Sequence, residues 1–217
     1  MTIAAAFTLN ACTIEGTGTT EITADDKESC NTLLLEFFDD ALKNANVVVN
    51  YKSGDFEFTE SIVGDKNCVE VKGSSKFYAF KQGDNYIAAV ESDDSKYYTK
   101  SKDYYDMYYC YFINYPFSPV SLMKMMPEDG GTFKCTYVSE SHDITIGEKT
   151  TSQNSAILTY DYAGENVTVN IVAVAVNGLA QSVTCTAPTG TVTIEFSYGN
   201  ATVDTPDITE WSENTAE

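Results

Sequence analysis

Asp55-Phe56-Glu57-Phe58-Thr59-Glu60-Ser61-Ile62-Val63-Gly64-Asp65-Lys66-Asn67-Cys68-Val69-Glu70-Val71-Lys72 decides the fold. Phe56-Glu57-Phe58-Thr59 and Val69-Glu70-Val71-Lys72 alternate apolar and polar residues, the period-two pattern of a strand with one dry face and one wet face. Gly64-Asp65-Lys66-Asn67 between them is turn chemistry, too short for a parallel crossover of a dozen or more residues. The stretch therefore predicts an antiparallel hairpin.

The same rhythm runs outward in both directions. Val47-Val48-Val49 opens it, and β-rich runs follow at about 75–81, 84–91, 95–100 and 104–113. They are separated by Gly73-Ser74-Ser75, Gln82-Gly83-Asp84-Asn85 and Ser92-Asp93-Asp94-Ser95. After an interruption, runs resume at about 132–139, 142–148, 155–162, 166–176, 179–187 and 190–198. Asn177-Gly178 is a strong two-residue hairpin signal.

Two segments carry the helical period. Leu34, Leu35, Phe38, Leu42 and Ala45 recur at spacings of three and four within about 25–46. Asp25, Asp26 and Glu28 suit the N-terminal end of a helix and Lys43 the C-terminal end. The interruption, Ser118-Pro119-Val120-Ser121-Leu122-Met123-Lys124-Met125-Met126-Pro127, reads as a short helix. Ser118 is its N-cap, Pro119 its first residue and Pro127 its stop.

The fold class is therefore mainly β with a minor helical part (α+β). About 11–12 strands in one sheet cannot stay flat, because strand twist accumulates. The expectation is a large curved antiparallel sheet or incomplete β-barrel, with the N-terminal helix and the short central helix covering its concave face.

At the N-terminus, Leu9-Asn10-Ala11-Cys12 follows the apolar run Ile3 to Phe7 and precedes a Thr-, Gly- and Glu-rich segment. This order resembles a bacterial lipobox, in which Cys12 becomes the lipid-modified mature N-terminus. Residues 1–11 are then a partial signal peptide and 12–24 a flexible tether. Residues 25–207 form one domain and 208–217 a polar tail. No Lys or Arg precedes Cys12, so a complete secretory signal requires residues upstream of Met1. The implied location is extracytoplasmic, with membrane contact through an N-terminal lipid anchor.

The chain has 13 Lys+Arg against 32 Asp+Glu, a net charge of −19. That balance argues against nucleic acid, whose phosphates require cationic side chains, and against docking on anionic headgroups. It favours a soluble monomer. Beyond Cys12 the cysteines are Cys30, Cys68, Cys110, Cys135 and Cys185, an odd number with no C-x-x-C pair. A zinc or thioredoxin-like site is not indicated. The cysteines read as small buried hydrophobes, at least one of them free, with room for a single disulfide.

No catalytic or metal site is expected, and no cofactor. The only histidine, His142, sits in Ser141-His142-Asp143, whose neighbours point to opposite faces of a strand and cannot form a triad by themselves. No nucleophile elbow, P-loop or dinucleotide fingerprint is present. The acidic pairs Asp25-Asp26, Asp39-Asp40 and Asp93-Asp94 match no EF-hand pattern and read as solvated turns or helix ends. The segment 96–112 holds seven of the 15 tyrosines, which places rings on both faces of an expected hairpin. Outward rings there would suit contact with glycan or protein.

The order of one helix, a meander, a short helix and a second meander behind a lipobox resembles the LolA/LolB-like lipoprotein carriers and receptors. The resemblance extends from about residue 27 to 207 and includes the final run Thr191-Val192-Thr193-Ile194-Glu195-Phe196-Ser197-Tyr198-Gly199-Asn200. It implies an open barrel whose apolar cavity accepts acyl chains under helical lids. The resulting expectation is a non-enzymatic lipoprotein that binds a lipid or other amphiphile. Leu34, Phe38, Phe56, Phe58, Val69, Val71, Met123 and Met126 are the candidate lining of its cavity. The competing expectation is a surface interaction module that uses the Tyr-rich hairpin.

Overall fold

A computed structural model of the chain describes residues 12–42, 46–146 and 149–214. The expected signal peptide over residues 1–11, and Lys43 and Ala45 of the expected helix end, lie outside the described residues.

The elements in chain order are β1 (Cys12–Ala24), α1 (Lys27–Leu42), β2 (Asn46–Ser53), β3 (Phe56–Val63), β4 (Lys66–Val71), β5 (Lys76–Gln82), β6 (Asn85–Glu91) and β7 (Lys96–Thr99). The helices α2 (Lys102–Tyr108), α3 (Tyr111–Asn114) and α4 (Pro119–Met125) follow. The chain continues with β8 (Gly131–Ile146), β9 (Lys149–Gly164), β10 (Thr168–Val176), β11 (Leu179–Ala187), β12 (Gly190–Tyr198) and β13 (Ser212–Glu213).

All thirteen strands share one open sheet, in the order β1-β8-β9-β10-β11-β12-β2-β3-β4-β5-β6-β7-β13. Two meanders, β2–β7 and β8–β12, are joined where β12 runs antiparallel to β2 and pairs Ile194 with Tyr51. The expected mainly-β architecture with helices on a curved sheet is what the chain forms. The pairing is antiparallel except for β13, which lies parallel to β7. At the β10–β11 turn Asn177 and Gly178 both have positive φ, 53° and 73°, the backbone a tight two-residue hairpin requires.

The main core fills one face of the sheet. β10 alternates buried and partly exposed residues from Val169 to Val176, with Val169, Ile171, Ala173 and Ala175 inward. α1 lies over this face: Cys30, Leu34, Phe37 and Phe38 are buried, the three- and four-residue spacing of one helical stripe. Asp26 caps the helix, its Oδ1 accepting from Ser29 N at 2.8 Å. The Tyr160 hydroxyl donates to Asn31 Oδ1 at 3.0 Å and ties α1 to β9. In α4, Ser118 accepts from Ser121 N at 3.1 Å and Pro119 opens the helix, as its sequence predicts.

Three expectations are corrected. The segment 12–24, expected as an unpaired tether, is β1, paired with β8 from Cys12↔Ile146 to Ala24↔Cys135. Its threonines and isoleucines need only a partner strand, and the unusually long β8 supplies one. β8 runs unbroken through Ser141, where a strand break was expected, so His142 sits within a strand opposite Gly16 and Gln153. The expected strand at 104–113 is instead α2 and α3. Ser101 caps α2 by accepting from Tyr104 N, Lys102 pairs with Asp106 one turn on, and Cys110 breaks the helices apart with φ 57°.

The tail also departs from expectation. Residues 199–214 cross the outer face of the β2–β7 meander, which gives β5 and β6 buried side chains on both sides. Tyr78, Phe80, Ile87 and Ala89 pack there against Ile208, with Trp211 beside them.

Candidate functional site

The eight residues expected to line an apolar cavity do converge, but in packed core. Leu34, Phe38, Phe58, Val69 and Met123 are buried, and Phe56, Val71 and Met126 pack against them half-buried. The space between β2–β4 and the helices is filled by aromatic rings. Tyr51 stacks on Phe58 at 4.5 Å, and Tyr115 from the α3 C-cap stacks on Phe56 at 5.2 Å. Phe112 meets Phe38 and Phe196 edge-on. The cavity is corrected to a solid core because the segment read as a strand at 104–113 folds as α2 and α3 and packs its rings into that space.

The same refolding removes the hairpin platform for the Tyr-rich strip. Tyr97 and Tyr104 remain exposed. Tyr105 is buried and donates to Asp65 O, and Tyr109 donates to Gly64 O, both fastening α2 to the β3–β4 turn.

Open space lies on the other half of the inner face. A groove of about 630 Å³ runs between α1 and the sheet end formed by β1, β8, β9 and β10. None of the eight expected cavity residues lines it. Its origin is a size gradient along two strands. On β9 the inward positions Tyr162, Tyr160 and Leu158 are buried, and the phase then continues into Ala156 and Asn154. On β8 Phe133 and Cys135 give way to Tyr137, Ser139 and Ser141. Large side chains fill the core, and small ones two strand-steps away leave it unfilled.

α1 closes the groove with Leu33, Glu36 and Phe37, adjacent at i, i+3 and i+4. β1 forms the outer wall with Thr20 and with Ile22, which is exposed although apolar. The inner part is thus Leu33, Phe37, Ala156 and Ala175, and the outer part, Ile22 apart, is rich in hydroxyls and an amide. Asn154 is held in place by Asn177, whose Oδ1 accepts from Asn154 N at 2.9 Å, and the Ser141 hydroxyl donates to Asn154 Oδ1. Among the described residues that line the groove, the charged ones are Glu36 and Glu140, both acidic. Glu140 alternates away from Ser139 and Ser141 and stands 3.2 Å from His142 Nε2.

One buried ionisable group was missed from sequence. Glu60 on β3 is fully buried, and its carboxylate accepts from Tyr111 N and Phe112 N, each at 2.7 Å, and from Asn67 Nδ2 at 2.5 Å. Asn67 Nδ2 also donates to Tyr108 O. Burial pushes the Glu60 carboxyl up to about 7, outweighing the three donors that hold it down. The signal was present: Glu60 occupies the inward phase of Phe58 and Ile62. Its role is architectural, pinning the start of α3 to the sheet. Among the described residues no three His, Cys, Asp or Glu side chains converge as a metal site, and no helix is long and apolar enough to cross a membrane.

No family model matches the sequence, and no curated protein matches it.

Proposed function

We propose that this chain is a non-enzymatic, lipid-anchored extracytoplasmic protein that binds an amphiphile in the groove between α1 and the β1–β8–β9 end of the sheet. The observation that carries the reading is the graded lining of that groove. Its volume of about 630 Å³ falls within the range of small-molecule sites. An apolar inner part grading into hydroxyls and an amide matches a ligand with a tail and a polar head. Glu36 on the α1 wall, together with the chain's net charge of −19, disfavours a free fatty acid or a phosphate head, so the head is neutral or cationic.

The lipobox supports the same reading. Cys12 opens β1, and Gly18, the first groove residue on that strand, lies six residues further on. Six strand residues span roughly 20 Å. A lipid on Cys12 therefore keeps the groove close to the membrane that supplies amphiphiles. The resemblance to LolA/LolB-like carriers points the same way, with the ligand moved from the core to the groove.

Isothermal titration of the purified chain with a monoacylglycerol below its micellar concentration tests the proposal. Binding is expected in the wild type and at least tenfold weaker binding in Ala175→Trp, which fills the groove floor. Core variant Phe58→Leu should bind like the wild type. Absence of heat with neutral and cationic single-chain amphiphiles, together with no lipid in organic extracts of the purified protein, overturns it. The anchor is tested separately by radiolabelled palmitate, whose incorporation should vanish in Cys12→Ser.

A further inference from the structure

We propose that Cys30 and Cys135 are the two halves of a disulfide that fastens α1 to β8. Four positional facts carry this. Cys30 lies in the first turn of α1, held by its own N–H donating to Asp26 O at 3.1 Å. Its Sγ donates to Ala24 O at 3.6 Å. Ala24 closes β1 and stands directly opposite Cys135 in the antiparallel pair, where partner Cα atoms are about 5 Å apart. Cys135 therefore stands directly across the strand pair from the residue whose carbonyl the Cys30 thiol touches, and each thiol influences the titration of the other. Both residues are fully buried.

Cys12 opens β1, and the other remaining cysteines sit elsewhere. Cys68 is on β4 beside the outer-face cluster, Cys110 joins α2 to α3, and Cys185 is on β11. The arrangement therefore singles out one pair.

Forming the bond breaks two S–H bonds, makes one S–S bond and releases two protons to water. The two electrons reduce the disulfide of an external thiol oxidant to two thiols, through a mixed disulfide. Extracytoplasmic chains meet such oxidants. Burial holds both folded thiols well above the ordinary thiol range, Cys30 up to about 11 and Cys135 up to about 12. Thiolate attack is slow under those conditions. The bond is accordingly made as α1 docks during folding. The covalent link closes a loop of about a hundred residues, a length at which a cross-link strongly restricts the unfolded chain.

The full chain, unfolded with reductant and refolded in a reduced/oxidised glutathione buffer, gives the test. Free thiols are blocked with N-ethylmaleimide and the protein is digested without reduction for mass spectrometry. The expected result is a Cys30–Cys135 linked peptide pair as the main cross-linked species, released by dithiothreitol. Thermal unfolding of the oxidised form should shift upward by about 5–10 °C relative to the reduced form. Cys68→Ser should retain both results. Quantitative maleimide labelling of Cys30 and Cys135, or linkage of either to another cysteine, overturns the proposal. The wild-type peptide map decides without relying on a variant, and its outcome is independent of whether the groove binds an amphiphile.

Discussion

At the scale of single residues, Glu60 concentrates three hydrogen bonds on one fully buried carboxylate. Its carboxylate satisfies two backbone N–H groups at the start of α3 and one side-chain amide, all within the core. Removing it in Glu60→Ala orphans three buried donors, each worth about 1–3 kcal/mol when left unpaired. A loss of about 3 kcal/mol or more in urea unfolding is expected. Its pH behaviour has a definite sign. An unfolded glutamate titrates near the 4.5 reference, and the folded one is pushed up to about 7. The folded protein therefore holds this proton more tightly than the unfolded chain does. The contribution of Glu60 to stability is fullest below pH 4.5, declines as pH rises to 7 and is flat beyond. Glu57, Glu91 and Glu213, held low mainly by side-chain hydrogen bonds from Lys72, Lys96 and Lys100, act in the opposite sense at lower pH. Subtracting the stability curve of Glu60→Gln from that of the wild type isolates the first effect. A difference curve that is flat between pH 4.5 and 7 would show that burial does not govern this carboxyl. Glu60 was legible in the sequence as an acid in the inward phase of a strand, but its two backbone donors come from a segment about fifty residues away. Alternation places a side chain on a face and is silent about what meets it there.

At the scale of elements, local chemistry and partner-dependent structure separate cleanly. The short helix α4 was legible because its signals are its own: Ser118, Pro119 and Pro127 act within one another's reach. Ser118 does two tasks, accepting from Ser121 N and donating to Ile113 O at 2.6 Å while fully buried. Ser118→Ala should cost about 1–2 kcal/mol, measured by chemical unfolding, because the cap acceptor and the hydroxyl donor to Ile113 O are both lost. Ser118→Thr should recover much of that. The segment 104–113 was misread because tyrosine favours strands on average. Its outcome is set by tertiary hydroxyl bonds from Tyr105 and Tyr109 to the β3–β4 turn, for which no short-range pattern exists. β1 was missed for the matching reason. A Thr- and Gly-rich edge strand carries little apolar alternation, and its identity depends on β8 being long enough to pair with it. The groove went unread as a consequence, since one of its walls is β1. Its other cause was visible in principle, as the decline in side-chain size from Tyr162 through Leu158 and Ala156 to Asn154 along one face of β9.

At the scale of the molecule, an open thirteen-strand sheet has two long edges and two faces to manage. Helices cover the inner face. On the outer face, where β5 and β6 present Tyr78, Phe80, Ile87 and Ala89, the cover is the C-terminal segment. The segment then adds β13 to the edge of β7, where even a short, charged strand blunts an exposed row of backbone donors and acceptors. It is secured by Lys100 and the Tyr98 hydroxyl, both 3.0 Å from Glu213 Oε2, and by Lys96 over the Trp211 ring. Exposed ion pairs of this kind contribute little, so burial of Ile208 must dominate the docking. Trp211 is the only tryptophan in the chain, which makes its fluorescence a reporter of this segment alone. Ile208→Ala should weaken docking by about 2 kcal/mol through the lost burial. The expected readout is a red-shifted Trp211 emission at urea concentrations where far-ultraviolet circular dichroism is still native. Glu213→Gln, which removes only the ion pair, should leave the emission transition within a few tenths of a kcal/mol of wild type. If instead Glu213→Gln releases the tryptophan and Ile208→Ala does not, the segment is held by its charges. In that case raising the salt concentration should undock it by the same amount.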